Sequence, residues 1–196
     1  MQTAFWLCVV GATYSYFIYP FVLLCLPTRR ASLGESAQWP IVSIIVTAHN
    51  EIGRIDDKLR NTLALDYPPD ALEVIVASDA SSDGTDDAVR SFDGVRLVRA
   101  DERKGKEYAQ QLAVKVARGE ILVFSDVATQ IPEAAIRQLV RRFDDPRVGA
   151  ISSEDRFVSQ SGEVVGEGAY VRYEMWLRRL ESSVNSLVGL SGSFFA

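Results

Sequence analysis

The first 28 residues contain no Asp, Glu, Lys, Arg or His. All ionisable charge lies after them, so the chain has a compositional boundary near residue 28. Cysteine is nearly absent too. The only two, Cys8 and Cys25, both fall in the uncharged stretch. On one helix they would stand ~25 Å apart, which excludes a bond between them. The charged part has none, which fits a reducing compartment. Positive charge is not in excess: 21 Lys and Arg face 26 Asp and Glu, a net of -5. That argues against a nucleic-acid partner, which would want a basic face. Long disorder is excluded by 47% hydrophobic residues and only seven prolines.

Two glycine motifs are missing as well. No G-x-G-x-x-G follows the first expected strand, and no G-x-x-x-x-G-K-[ST] occurs. A dehydrogenase-like or P-loop nucleotide site loses its main support.

The uncharged start is an apolar run from Ala4 to Leu26. A bilayer span takes about 20 residues. Trp6 marks one end, and Pro27 with Arg29 and Arg30 marks the other. A cleaved signal peptide would want a basic start, a shorter apolar core and a small-residue cleavage site. The sequence therefore predicts one membrane anchor over residues 1–28, kinked at Pro20, a linker over 29–39 and one domain over 40–196. Arg29 and Arg30 place that domain in the cytoplasm, at the cell membrane, by the positive-inside rule.

From residue 40 onward, strand-like and helix-like segments alternate. A continuous Val- and Ile-rich run predicts a strand buried on both faces at Ile41–Thr47, and further strands are predicted at Leu72–Ala77, Val95–Val98, Ile121–Phe124 and Val148–Ser152. Helical spacing predicts helices at Ile52–Leu65, Ser82–Phe92, Gly105–Ala117 and Pro132–Phe143. This is an α/β pattern with a mostly parallel, Rossmann-like sheet flanked by helices. A later stripe, Tyr170, Tyr173, Trp176, Leu177, Leu180 and Val184, reads as a helix packed on the sheet. Its alternative is a helix at the membrane surface, anchored by Arg172, Arg178 and Arg179.

Ligands of such sheets bind at the carboxyl ends of the strands. Those ends carry Ala48-His49-Asn50-Glu51, the run Ser78 to Thr85, and Ser125-Asp126. Each residue has a plainer reading: Asn50 and Asp83 as helix caps, Gly84 as a turn residue. Their gathering at one rim points to a site.

Six segments, in order and spacing, resemble the donor half of family 2 glycosyltransferases. They are VSIIVTAHNE (42–51), VIVASDASSDGT (74–85), RKGKEYAQQLAV (103–114), ILVFSDVAT (121–129), VGAISSEDRF (148–157) and GLSGSFFA (189–196). The resemblance implies a GT-A fold and transfer from a UDP-sugar or other nucleoside-diphosphate sugar to a lipid or glycan acceptor, with inversion. It implies donor contacts at Ala48, Asn50, Glu51, Asp79, Lys106, Ser125 and Asp126. Asp79 matches the acid that accepts from the base, generally uracil, as a carboxylate can. Position 78, often acidic in the family, is Ser78 here. Lys106, after Gly105 at a helix start, reads as a phosphate contact or as a surface lysine. Ser191, Gly192 and Ser193 lie toward the acceptor side.

Family members usually hold Mg²⁺ or Mn²⁺ with a D-x-D pair. Asp126 matches the first acid and is the candidate metal ligand. The second acid is replaced by Ala128, whose methyl cannot serve a hard cation. The family's catalytic base, an Asp of a Glu-Asp pair, is expected beyond Ala196. Glu154 and Asp155 stand too early for it and read as a loop feature. The alternative is a non-catalytic, membrane-anchored pseudoenzyme or a gene fragment.

Overall fold

The computed structural model describes residues 2–28, 39–154, 168–184, 189–190 and 193–196. The chain divides into two units, one of the N-terminal helices with a late helix, the other of the sheet with its covering helices.

In the first unit, α1 (Gln2–Thr13) runs into a π-helical turn, Tyr14–Ile18, and then α2 (Tyr19–Cys25). The single kinked helix expected over Ala4–Leu26 is therefore two helices. Their main segments, Gln2–Gly11 and Tyr16–Cys25, meet at 48°. Among the described residues no single helix is long and apolar enough to cross a membrane, although the bent pair together has the length and composition. Pro20 lies in the first turn of α2. It has no N–H, and its ring excludes the carbonyl four residues back. The disturbance falls upstream, where the Tyr19 N–H bonds the Tyr14 carbonyl in the wider π pattern. Cys8 and Cys25 are free thiols.

A late helix, here called α7 (Ala169–Val184), belongs to this unit. The Tyr19 hydroxyl donates to Glu181 Oε1 at 2.9 Å. The Tyr173 hydroxyl donates to the Tyr16 carbonyl at 3.0 Å. The aromatic stripe of α7 thus meets aromatic residues of α2 and the π turn.

The second unit is a five-stranded sheet. Its elements are β1 (Val42–Ala48), α3 (Ile55–Leu63), β2 (Leu72–Ser78), α4 (Thr85–Arg90), β3 (Val95–Arg99), α5 (Lys106–Val114), β4 (Ile121–Asp126), α6 (Ala135–Phe143) and β5 (Phe194–Phe195). The strand order is β3-β2-β1-β4-β5. The first four strands are parallel and β5 is antiparallel to β4. Central β1 is buried on both faces, as its unbroken apolar run requires. Val42, Ile44, Val46 and Ala48 pack with residues of α3, α4 and α6, among them Ile55, Leu59, Val89, Ile136 and Val140. Ile45 takes the other face with Ile75, Ala77, Ala109 and Ala113 under α5. The strand's period of two sorts these sets.

The fifth strand expected at Val148–Ser152 does not form. Ser152 makes one isolated antiparallel bridge to Phe195. Ile151 and Ala196 exchange backbone hydrogen bonds at 2.8 and 2.9 Å, so this segment pairs with the end of the chain. Phe194–Phe195 takes the place beside β4, and Phe195 stacks on Phe124 at 4.9 Å.

Three helices also start later than expected. Ile52, Ser82 and Pro132 each precede the first helical residue by three positions. At two of them the polar residues are spent on cross-loop bonds at the strand ends, described next.

Candidate functional site

Register sets the rim. Ala48 pairs with Ser78 on one side of β1, and Thr47 pairs with Asp126 on the other. The three strands end nearly flush, and Asp79 and Asp126 leave the sheet on either side of β1.

The turn after β1 is tied to the turn after β2. Asn50 takes a left-handed conformation, φ 55°, which Asn tolerates better than most residues. Its backbone N–H donates to Ser81 Oγ at 3.2 Å, and its Oδ1 accepts from the Ser82 N–H at 2.8 Å. The Glu51 N–H donates to Thr85 Oγ1 at 2.8 Å, and the Ile52 N–H to Asp83 Oδ2 at 3.0 Å. The other Asp83 oxygen accepts from the Thr85 N–H and hydroxyl. The Thr85 hydroxyl, then the Ile52 and Thr85 backbone N–H groups, hold the Asp83 carboxyl below its usual range. Asp83 and Asn50 therefore brace two loops, and the cap reading was too local.

Asp79 is buried. Its carboxylate accepts from the backbone N–H groups of Lys104 and Gly105. Gly105, φ 94°, then opens α5, and Lys106 follows. Lys106 Nζ meets Asp126 Oδ1 at 2.6 Å, with both side chains about two-fifths exposed. Glu51 sits at the rim with Arg54 at 3.8 Å.

Ser125 is buried and serves an internal partner. Its Oγ accepts from Lys58 Nζ at 2.7 Å. Lys58, on α3, is only 3% exposed and also donates to the Thr129 carbonyl at 2.5 Å. The turn closes with the Thr129 N–H on the Asp126 carbonyl at 3.2 Å. A buried ammonium thus lies under the Asp126–Thr129 turn. Burial pulls the Lys58 amine down to about 8, and the charge of Asp126 offsets part of that. Sequence reasoning missed Lys58. The signal was its place on the inward stripe Ile55, Lys58, Leu59, Thr62, all buried.

The Ser193 carbonyl accepts from the Asp126 N–H at 3.0 Å and from Thr129 Oγ1 at 3.3 Å. This joins the chain end to the same turn. Ser191 and Gly192 lie outside the described residues, as do Asp155 and the linker residues 29–38.

A divalent cation fits this turn poorly. Asp126 is its one carboxylate, and an Oδ1 lone pair is already engaged by Lys106. Ala128, where a second acid would stand, is exposed. Among the described residues no three His, Cys, Asp or Glu side chains gather as metal ligands. A cleft of about 410 Å³ lined by Glu73, Gly94, Arg96 and Arg118 lies elsewhere, at the amino ends of β2 and β3.

A parallel sheet with acids and a lysine at its carboxyl rim is the frame in which open α/β proteins bind ligands. Comparison with known proteins narrows the class. A mannosyltransferase of Pyrobaculum calidifontis, solved with GDP-Man and Mn²⁺, is 31% identical, with a TM-score of 0.77 over 94% of this chain and 51% of that one. The poly-beta-1,6-N-acetyl-D-glucosamine synthase of Staphylococcus epidermidis is 26% identical over 95% of this chain and 45% of its own length. The beta-monoglucosyldiacylglycerol synthase of Trichormus variabilis is 26% identical over 94% and 41%. Residues 43–183 match the description of glycosyl transferase family 2. The chain belongs to that family, and its sheet is GT-A-like. It spans less than half the length of these two curated relatives.

Proposed function

We propose that the protein transfers a sugar from a nucleoside-diphosphate sugar to an acceptor hydroxyl, with inversion, and that the rim of β1, β2 and β4 holds the donor. The observation that carries this is the pairing of Lys106 with Asp126 beside the Asp79 loop, at the carboxyl edge of a family 2 sheet.

In the proposed reaction the acceptor oxygen attacks the anomeric carbon. The bond from that carbon to the diphosphate oxygen breaks, and a general base takes the hydroxyl proton. Charge grows on the leaving diphosphate. Lys106 stands at a helix start, where backbone N–H groups and an ammonium together suit an anion. Asp126 orients that ammonium. Asp79 holds the loop that delivers it and presents its remaining acceptor capacity to the base. The sugar, and the choice of lipid or glycan acceptor, belong to the whole protein, of which relatives of about twice this length are the guide.

The N-terminal helices anchor the protein in the cell membrane, with the sheet unit cytoplasmic. The absence of charge over residues 1–28 supports this, as do exposed Phe5, Trp6, Leu7, Phe17, Phe21 and Leu24. Arg29 and Arg30 supply the orientation.

The test is calorimetric titration of the detergent-solubilised chain with UDP, GDP and their sugars, followed by a transfer assay with the longer protein. Saturable binding of one nucleotide and release of free nucleoside diphosphate on adding acceptor are expected. Failure of every nucleotide to bind would reject the reading. Ala128 favours a second reading, a donor-binding pseudoenzyme. Binding without any transfer by the longer protein would select it.

A further inference from the structure

The turn after β4 carries one acid where a D-x-D pair would carry two, and it carries two ammonium groups. Lys106 meets Asp126 from the rim. Lys58 supports the same turn from inside the unit, through Ser125 Oγ and the Thr129 carbonyl. We infer that the donor diphosphate is held without a divalent cation, by Lys106 directly and by the field of Lys58 beneath the Asp126–Thr129 turn. This rests on the donor site proposed above.

Charge accounting carries the argument. Two carboxylates facing a diphosphate repel it, so a D-x-D site needs a metal between them. The Asp126–Thr129 turn holds one acid, Asp126, and two ammonium groups meet it, those of Lys106 and Lys58. Replacing an acid by Ala128 removed the repulsion as well as the ligand. Lys58 acts at short range in a poorly screened interior, where a charge is felt more strongly than at the surface. Its ammonium uses one N–H on the Ser125 hydroxyl and one on the Thr129 carbonyl, so it also fixes that carbonyl of the turn. Lys58 is a positioning residue: burial keeps it from touching the donor, and it acts through the turn and through Asp126.

The experiment measures UDP and GDP affinity of the detergent-solubilised chain in excess EDTA and again with Mn²⁺. For the native sequence the two dissociation constants should agree within about threefold. Ala128→Asp should restore a metal requirement, weakening binding in EDTA by about tenfold and improving it with Mn²⁺. Lys58→Met should weaken UDP and GDP binding by about tenfold in both conditions and leave uridine and guanosine, which carry no diphosphate, bound as before. A merely structural role for Lys58 would weaken nucleoside and nucleotide alike. Circular dichroism checks folding of each variant. Should Lys58→Met fail to fold, Lys58→Arg, which keeps the charge, should retain diphosphate binding in EDTA, and its loss with nucleoside binding intact would overturn the role of Lys58. Nucleotide binding that vanishes in EDTA for the native chain overturns this inference and leaves the donor site standing. Absence of binding in both conditions overturns the two together.

Discussion

One oxygen of Asp79 accepts the Gly105 N–H at 3.1 Å while its other oxygen accepts the same N–H at 3.0 Å. The Lys104 N–H adds a bond at 2.9 Å. The acid at the end of β2 therefore clamps the entry to α5, and Lys106 follows one residue later. Asp79→Asn keeps the shape but removes the charge and one acceptor. Hydrogen bonds to charged groups contribute about 1.5–3 kcal/mol. Amide exchange at Lys104 and Gly105 should accelerate by at least about tenfold, and nucleotide affinity should fall by a similar factor. Unchanged exchange at both amides would mean that the loop stands without the clamp.

Lys106 and Asp126 separate stability from binding. Their pair is about 40% exposed on each side, and such pairs contribute roughly 0–1 kcal/mol to folding. Lys106→Met should leave the denaturation midpoint nearly unchanged while weakening nucleotide binding by about tenfold or more. The expectation fails if both fall together, because the lysine would then be part of the fold.

What was legible in the sequence follows from what is local. β1 and β2 announce themselves because a strand buried on both faces must be apolar throughout. The rim was legible for the same reason, since polar runs interrupt those strands at matched positions. β5 was not. Two residues, Phe194 and Phe195, carry no periodic signal, and their pairing with β4 is set by contacts across the fold. Val123 and Ser125 are the two buried alternate positions of β4, so the strand period turns Ser125 inward. Lys58 escaped because a lysine is usually solvated. The break in the N-terminal helix was placed at Pro20, when the missing N–H acts one turn earlier.

Glu73 gives a pH signature far from the rim. Burial raises its carboxyl, but the Ser43 hydroxyl and the backbone and guanidinium N–H groups of Arg118 outweigh this and hold it below 4.5. A depressed carboxyl stabilises the fold fully above its unfolded value, and that contribution disappears as pH falls through the folded value. Glu73→Gln should destabilise the native chain by about 1–3 kcal/mol at neutral pH, since Arg118 is largely exposed and its ion pair is screened. The difference between the two proteins should shrink as pH drops below 4.5. Parallel denaturation curves at each pH would reveal it, and a constant difference would show that the carboxyl's charge is not involved.

Gly119 lies where the loop before β4 crosses the start of β1. Its N–H donates to Ser43 Oγ at 2.8 Å, and the neighbouring Glu120 N–H donates to the Ile41 carbonyl at 2.8 Å. A Cβ at position 119 would lie 2.9 Å from the Val42 carbonyl carbon and closer still to the Ser43 nitrogen. Both are backbone atoms, so no rotamer change relieves the contact. Val42 and Ser43 are themselves wholly buried and paired on both sides, with Leu72 and Glu73 of β2 and with Ile121 and Leu122 of β4. The loop must then move away from β1 and surrender the Ser43 and Ile41 bonds. Overpacking of this kind costs about 1–3 kcal/mol, and each lost bond adds about 1 kcal/mol. Gly119→Ala should lower stability by roughly 3–5 kcal/mol on those terms, measured by urea denaturation with an unchanged m-value. The rim lies at the other end of the strands, so nucleotide affinity of the folded fraction should hold. A Gly119→Ala protein as stable as the native chain would mean that the loop has room to retreat at no cost.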